Sequence, residues 1–179
     1  MKTTQILIAG FGGQGILFAG KFLAYKGLME DLQVSWLPSY GPEMRGGTAN
    51  CNVILSESPV GSPIITTPDI LIAMNLPSLM KYVDTVVPGG QIYLDSSLIE
   101  AKVDRDDVDV FYIPATQMAK EHNIATLANM IILGHVLENH SELTFEGTAA
   151  VVEKLVPPSK AALVRLNMQA LQLGKDYAP

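Results

Sequence analysis

The segment Gly10–Gly15, with the sequence Gly-Phe-Gly-Gly-Gln-Gly, constrains the fold of this chain more than any other feature. It follows the apolar run Ile6–Ala9 and precedes a second apolar run, Ile16–Ala19. This order predicts a strand, a turn with almost no side chains, and the start of a helix. Such a turn lets another surface approach the backbone, and the unpaired N–H groups at a helix start favour a negative group such as a phosphate.

The turn also satisfies the G-x-G-x-x-G pattern of dinucleotide binding, but the rest of that fingerprint is missing. The pattern requires a carboxylate about 20 residues further on, after the second strand. Glu30 and Asp31 have this spacing, yet they precede the predicted second strand, Val34–Leu37. The overlapping G-x-x-x-x-G-K pattern at Gly15–Lys21 has Phe22 where a Ser or Thr would hold magnesium. Three alternatives stay open for this turn: it binds NAD or FAD, it binds a nucleoside triphosphate, or it binds no ligand and only lets the helix pack closely on the strand.

Strand-like and helical segments alternate along the chain, which predicts an α/β fold. We expect a single Rossmann-like three-layer domain over residues 1–179, with a mainly parallel sheet over about 1–114 and a helical part over about 115–179. Glycine and proline crowd the connection between the second and third strands, so one of these two could run antiparallel. The predicted strands are Ile6–Ala9, Val34–Leu37, Ala49–Leu55, Ile70–Met74, Gln91–Leu94 and Val110–Ile113.

Apolar residues at helical spacing predict several helices, most of them in the C-terminal part. Thr144 is a candidate N-cap and Gly174 a candidate C-cap for two of these helices. The last predicted helix carries two apolar stripes, and packing on its own sheet is favoured over a subunit contact. The predicted helices are Gly13–Lys26, Ser78–Val83, Ala125–Glu138, Phe145–Leu155 and Ser159–Leu173.

Composition narrows the class of protein. Apolar residues make up 48% of the 179, so either the sheet is covered on both faces or some apolar surface belongs to a partner. The net charge of −6 with scattered basic residues argues against nucleic acid as the ligand.

No apolar stretch approaches the roughly 20 residues that span a bilayer, and the N-terminus leads into a strand, so we expect a cytoplasmic protein without a membrane segment. Cys51 is the single cysteine, which excludes an internal disulfide and an iron–sulfur cluster ligated by cysteines of this chain alone.

A second glycine-rich loop, Ser39–Thr48, follows the predicted second strand. In a parallel sheet it would lie at the same carboxyl edge as the first loop, where ligands of open α/β sheets bind. Arg45 stands among glycines in this loop, and a guanidinium held there suits a carboxylate or a phosphate. Pairing of Arg45 with Glu43 or with a carboxylate of another chain is the alternative. Tyr40 either stacks on a ligand or packs the turn.

Together the two loops resemble the gamma subunit, or gamma domain, of the 2-oxoacid:ferredoxin oxidoreductases, the enzymes that act on pyruvate, 2-oxoisovalerate, 2-oxoglutarate and indolepyruvate. The resemblance covers almost the whole chain, and the pair of loops is its specific part. Further similar pieces are Ser62-Pro63, Pro68–Ala73, Asn129, Leu133-Gly134 and the terminal Asn167, Ala170 and Gly174.

The resemblance implies an accessory subunit of an enzyme that oxidatively decarboxylates a 2-oxoacid, reduces ferredoxin and forms an acyl-coenzyme A. It implies that thiamine diphosphate, magnesium and iron–sulfur clusters lie in partner alpha and beta subunits, and in a ferredoxin-like delta subunit where one is present. This chain alone would bind none of these cofactors. By resemblance, the gamma part packs near the coenzyme A side. The candidates for contact with coenzyme A phosphates or a partner's loop are Gly12, Gly13, Gln14, Gly15, Tyr40, Arg45, Gly46 and Gly47.

The sequence offers no catalytic constellation of its own. His122, His135 and His140 lack metal-ligand spacing, and Asn129 is interpreted as a buried hydrogen-bonding residue. We therefore expect the isolated chain to be inactive and to associate with itself or with partner subunits. Selection of the 2-oxoacid is expected in the alpha and beta parts. The competing interpretations are a stand-alone NAD(P)- or FAD-binding Rossmann-type oxidoreductase and an interaction module without a ligand.

Overall fold

A six-stranded sheet forms the centre of the chain. The computed structural model describes residues 2–39 and 48–178, without the side chain of Thr48. In chain order the strands are β1 Thr3–Phe11, β2 Gln33–Ser39, β3 Thr48–Ser56, β4 Ile70–Ala73, β5 Gln91–Asp95 and β6 Asp109–Ile113. The strand order across the sheet is β2-β3-β1-β4-β5-β6. All six predicted strands are confirmed, because apolar runs bounded by Gly, Pro and Asp mark them clearly.

The sheet is parallel except at β3. β1, β4, β5 and β6 pair in parallel, whereas β3 runs antiparallel to both β1 and β2. The expected reversal therefore falls on the third strand. The connection from Ser39 to Thr48 is too short to carry the crossover that a parallel pair requires.

Helices cover both faces of this sheet, as expected for three layers. Alternation along β1 sends Ile6 and Ile8 into one core and Leu7 into another. The larger core lies under the first helix and the C-terminal helices, and the smaller one lies on the opposite face with the second helix. In chain order the helices are α1 Ile16–Met29, α2 Leu76–Tyr82, α3 Ala115–Glu121, α4 Ala128–Asn139, α5 Thr148–Leu155 and α6 Ala162–Asp176, with short 3-10 turns at Val83–Thr85 and Pro158–Lys160.

The predicted helix boundaries differ from the observed ones by up to three residues. α1 begins at Ile16 rather than Gly13, because Gly13 and Gly15 both have a positive φ that an α-helix does not allow. The expected cap at Thr144 is wrong. α5 begins at Thr148 with left-handed Gly147 at its cap, and the Thr144 hydroxyl instead accepts from Lys26 of α1 and donates to Glu30, which directly follows α1.

The C-terminal helix was also misjudged from the sequence. Gly174 is not a C-cap; it lies inside α6, where a Cβ would collide with the carbonyl of Ile131. Gly134 is its counterpart on α4, where a Cβ would collide with the backbone of Leu171. α6 therefore packs on α4 through glycine contacts, and not directly on the sheet as expected.

Candidate functional site

The turn after β1 leaves the start of α1 open. Gly13 has φ +92° with no atom within 4 Å of the position of a Cβ, and Gly15 has φ +73°. No side chain caps α1 within the described residues, and its first turn holds no acidic residue. The backbone N–H groups of that turn and the positive end of the helix dipole therefore lie beside an exposed glycine turn, which suits an anion. This places Gly12, Gly13 and Gly15 where the sequence predicted them.

Gln14 braces the turn through its side-chain amide. Its Oε1 accepts a hydrogen bond from the backbone N–H of Phe11 at 2.6 Å, and its Nε2 donates to the carbonyl of Met74 at 2.8 Å. The side-chain amide therefore joins the end of β1 to the end of β4. Its oxygen and nitrogen each make one hydrogen bond inside the fold, so Gln14 shapes the turn, and its contact with a ligand or a partner stays a prediction.

Asn129 holds the turn from the other side. Its side chain is buried, and its Nδ2 donates to the carbonyl of Gly15 at 3.0 Å. The expectation of a buried hydrogen-bonding asparagine is confirmed. Its Oδ1 is closed off from solvent and has no hydrogen-bond partner among the described residues.

The second glycine loop begins and ends next to the first. Tyr40, Arg45, Gly46 and Gly47 lie outside the described residues, so their contacts remain predictions. The strands on either side are described: Thr48 pairs with Phe11, and Asn50 pairs with both Ser39 and Ala9. The chain therefore leaves β2 and enters β3 at the carboxyl edge where the first loop lies.

Two polar residues at this edge were missed from the sequence. Asn75 follows β4 and caps α2 by accepting from the Ser78 N–H at 2.8 Å. Asp95, fully buried at the end of β5, accepts from the N–H and hydroxyl of Thr116 at 3.3 and 2.5 Å. The available signal was a polar residue directly after an apolar strand. Asp95 joins β5 to α3, so its part is structural.

The histidines and the cysteine have structural environments. His135 is buried, its Nδ1 bonds the carbonyl of Gly174 at 3.1 Å, and burial lowers its pKa. Burial raises the pKa of the Cys51 thiol to about 12, so it stays protonated and unreactive near neutral pH. Within residues 2–39 and 48–178 no group of three or more His, Cys, Asp or Glu side chains could hold a metal ion. No helix in these same ranges is long and apolar enough to cross a bilayer.

Comparison with known proteins gives a consistent family. Residues 5–177 match the family described as pyruvate ferredoxin/flavodoxin oxidoreductase. The chain is 37% identical over 174 residues to ketoisovalerate oxidoreductase subunit VorA of Methanothermobacter thermautotrophicus. That alignment covers 97% of this chain but 36% of VorA, so the chain spans about a third of that relative's length.

Solved structures agree with the sequence comparison. The gamma subunit of a keto/oxoacid ferredoxin oxidoreductase from Geobacter sulfurreducens superposes with a TM-score of 0.80 at 29% identity, covering 96% of this chain and 95% of that one. The 2-oxoglutarate:ferredoxin oxidoreductase of Magnetococcus marinus, solved with 2-oxoglutarate, coenzyme A and succinyl-CoA bound, has a TM-score of 0.84 at 27% identity. The latter match covers 98% of this chain and 31% of that chain.

Proposed function

Because this chain belongs to the pyruvate ferredoxin/flavodoxin oxidoreductase family, we propose that it works as the gamma subunit of a cytoplasmic complex that converts a 2-oxoacid to an acyl-coenzyme A and reduces ferredoxin. The family resemblance noted in the two glycine loops is confirmed by the match over residues 5–177. A stand-alone NAD(P)- or FAD-dependent oxidoreductase is not favoured, because the matched proteins belong to 2-oxoacid oxidoreductases.

The uncapped start of α1 is the observation that carries this proposal. An exposed glycine turn with positive φ at Gly13 leads into backbone N–H groups that no side chain of the described residues caps. A pyrophosphate such as that of coenzyme A fits this environment. The Magnetococcus enzyme, whose chain contains a similar domain, was solved with coenzyme A bound. This supports assigning the two-loop edge to coenzyme A, with Gly12, Gly13, Gln14, Gly15, Tyr40, Arg45, Gly46 and Gly47 as the contact candidates.

The redox and decarboxylation cofactors are assigned to partner subunits. Thiamine diphosphate with magnesium would lie in the alpha and beta subunits, and iron–sulfur clusters in those or in a ferredoxin-like delta subunit. The single, buried Cys51 cannot ligate a cluster by itself. When bound in the partners, these cofactors supply the decarboxylation and electron transfer, while the present chain shapes the coenzyme A side.

Reconstitution tests the subunit assignment. The pure isolated chain should contain no iron, thiamine or flavin and should show no 2-oxoacid oxidation. Adding the alpha and beta subunits should yield a stable complex, through an interface of about 1,600 Å² or more, with coenzyme A-dependent reduction of ferredoxin. A stoichiometric cofactor in the isolated chain, or full activity of the other subunits without it, would contradict the proposal.

Arg45 is the proposed charged partner of an anion at this edge. Arg45→Ala should weaken coenzyme A binding or assembly by roughly 1.5–3 kcal/mol without unfolding the chain. Arg165→Ala, an exposed arginine on α6, is the matched control. The measurements are the Michaelis constant for coenzyme A and the assembly affinity. If the Michaelis constant and the assembly affinity are both unchanged in Arg45→Ala, Arg45 does not contact the anion at this edge.

A further inference from the structure

The two edges of the sheet differ in what lies against them. β2 and β6 are the outermost strands. At β6 the Tyr177 hydroxyl donates to the carbonyl of Tyr112 at 3.3 Å, so the residues after α6 lie against this edge. At β2, no strand of the part of the chain that the structure describes pairs with the outer side. An open edge strand carries a row of N–H and C=O groups that another strand can bind.

Pro38 shows which backbone groups of β2 point outward. It is paired with Cys51 in the β2–β3 ladder. Because proline has no N–H, it fits a ladder where the backbone faces away from the neighbouring strand. The direction alternates along a strand, so Val34 and Trp36 share this outward side, whereas Ser35 directs its backbone groups to β3. β2 therefore offers outward N–H and C=O groups at Val34 and Trp36.

Apolar side chains accompany this open backbone. Trp36 and Leu37 lie on opposite faces of β2, because successive side chains of a strand alternate, and they are 36% and 37% exposed. Leu28 of α1 is 55% exposed. Exposed apolar groups beside an open edge mark a surface that a partner covers. The edge therefore suits a strand that brings apolar side chains with it.

The helix α1 is placed to take part in the same contact. It lies over β2 and β3, and its Gly20 and Gly27 approach β2. Lys21 and Leu28 directly follow these glycines, are exposed, and lie on the flank toward the open edge. Lys26 lies on the opposite flank, where it bonds the loop before α5.

The distance from α1 to the edge suits a second helix. Adjacent strands lie about 4.8 Å apart. If β2 pairs with a strand that carries a helix in the same position as α1, the two helix axes lie about 10 Å apart. This is the normal distance between packed helices. A second copy of this chain supplies both the strand and the helix.

The charges at the two ends of α1 also fit a second copy. Lys21 is exposed near the start of α1, and Asp31 is exposed just after its end. When two copies of the helix lie antiparallel, the Lys21 end of each meets the Asp31 end of the other. Opposite charges then face each other twice, once on each side of the two-fold axis.

We propose that two copies of this chain pair β2 with β2 in antiparallel fashion, around a two-fold axis at Ser35, and so join their six-stranded sheets into one. Val34 of each copy exchanges backbone hydrogen bonds with Trp36 of the other. The two α1 helices pack antiparallel beside this junction. Pro38 ends the new ladder, and because Tyr177 occupies the β6 edge, pairing stops at two copies. The proposal does not depend on the proposed function.

The mass of the isolated full-length chain in solution tests the dimer. Light scattering over a range of concentrations should give twice the mass of the chain, with dissociation on dilution. Leu28→Lys puts an ammonium group between the two helices and should weaken the dimer at least tenfold, while its exposed position leaves the fold intact. Met80→Lys, at a 66% exposed position of α2 on the opposite face, is the control and should dimerise as wild type does. A monomeric wild type, or a dimer that Leu28→Lys does not weaken, would overturn the inference.

Hydrogen exchange locates the junction. In the dimer the N–H groups of Val34 and Trp36 are bonded across the two-fold axis, so they should exchange at least tenfold more slowly than in Leu28→Lys. Met80→Lys should show the slow exchange of wild type. If Val34 and Trp36 exchange at the same rate in wild type and in Leu28→Lys, the strands do not pair and the inference is wrong.

Exchange of charges tests the antiparallel direction. Lys21→Glu brings two carboxylates together at each end of the helix pair, and Asp31→Lys brings two ammonium groups together, so each variant should weaken its own dimer. A mixed dimer of the two variants has opposite charges at both ends. In an equimolar mixture, with one variant isotopically labelled, native mass spectrometry should find the mixed dimer about fivefold above its statistical share. A statistical mixture would contradict the antiparallel contact.

A test with alpha and beta subunits separates a second copy from another occupant of this edge. If the isolated chain is monomeric and Leu28→Lys prevents binding of those subunits, the edge belongs to them; the inference is then wrong and the subunit assignment stands. If the dimer forms as described but no complex forms with alpha and beta subunits, the subunit assignment is wrong and the dimer stands.

Discussion

Asn129 donates from Nδ2 to the carbonyl oxygen of Gly15 over 3.0 Å, so a residue of α4 holds the turn that opens α1. The two residues are 114 positions apart in the chain. A Cβ on Gly15 would lie 2.5 Å from that same Nδ2. Glycine is therefore needed at this position for its positive φ and also for the close approach of the asparagine.

Gly15→Ala should therefore lower the free energy of unfolding by more than the cost of placing alanine at a left-handed φ. Left-handed φ costs alanine about 1–2 kcal/mol, and displacement of Asn129 adds about 1–3 kcal/mol for the broken buried hydrogen bond. Gly147→Ala is the matched control, with φ +75° and no atom within 4 Å of the new Cβ, so only the first cost applies. Urea unfolding of both variants measures the difference. Equal losses of unfolding free energy would show that the Asn129 contact does not matter for stability.

Close packing of α4 on α6 leads to an unusual prediction for Gly134. Replacing a helical glycine by alanine normally stabilises a helix by about 0.5–1 kcal/mol. Here the new Cβ would meet the backbone of Leu171, so Gly134→Ala should destabilise the chain by about 3 kcal/mol or prevent folding. Gly61→Ala, whose Cβ meets nothing, should change the free energy by less than about 0.5 kcal/mol. Thermal unfolding of soluble fractions checks both; a Gly134→Ala variant as stable as wild type would refute the helix contact.

Burial of His135 predicts a loss of stability on mild acidification. Its ring lies against Tyr93, Phe111 and Tyr177, and burial lowers its pKa below the usual 6.5. The unfolded chain therefore takes up a proton that the folded chain refuses as the pH falls below the unfolded pKa. The free energy of unfolding should decrease between about pH 7 and pH 5.5, by at most about 1.4 kcal/mol per pH unit for this one proton.

His135→Phe should flatten that pH dependence while keeping the aromatic contacts. His122→Asn is the control, because this histidine is exposed. His140 is half-buried, and burial lowers its pKa as well. It accounts for the pH dependence of stability that remains in His135→Phe. If the free energy of unfolding depends on pH in the same way in wild type and in His135→Phe, then folding does not change the titration of His135.

The sequence indicated the sheet and the first loop well because their signals are local. An apolar run followed by glycines defines β1 and its turn regardless of what packs nearby. Gly174 was misread because a capping glycine and a glycine in a helix contact have the same sequence signature, and only the position of Ile131 separates them. The bond from the Gln14 amide to the carbonyl of Met74 could not be predicted, because nothing local in the sequence reveals that β1 and β4 are neighbours. The buried Oδ1 of Asn129, which has no hydrogen-bond partner among the described residues, could not be predicted either. It depends on how α4 lies against the glycine turn, which the local sequence does not reveal.

The Michaelis constant for coenzyme A in the reconstituted complex of Gly13→Val tests the central claim most directly. Gly13 and Gly89 both have positive φ, +92° and +78°, and open space at the Cβ, but only Gly13 lies at the carboxyl edge. Both valines should carry a similar backbone cost, while only that at Gly13 blocks the approach of a pyrophosphate to α1. The account predicts that Gly13→Val raises the constant at least tenfold and that Gly89→Val leaves it at the wild-type value. Equal constants for both variants would contradict a coenzyme A site at the start of α1.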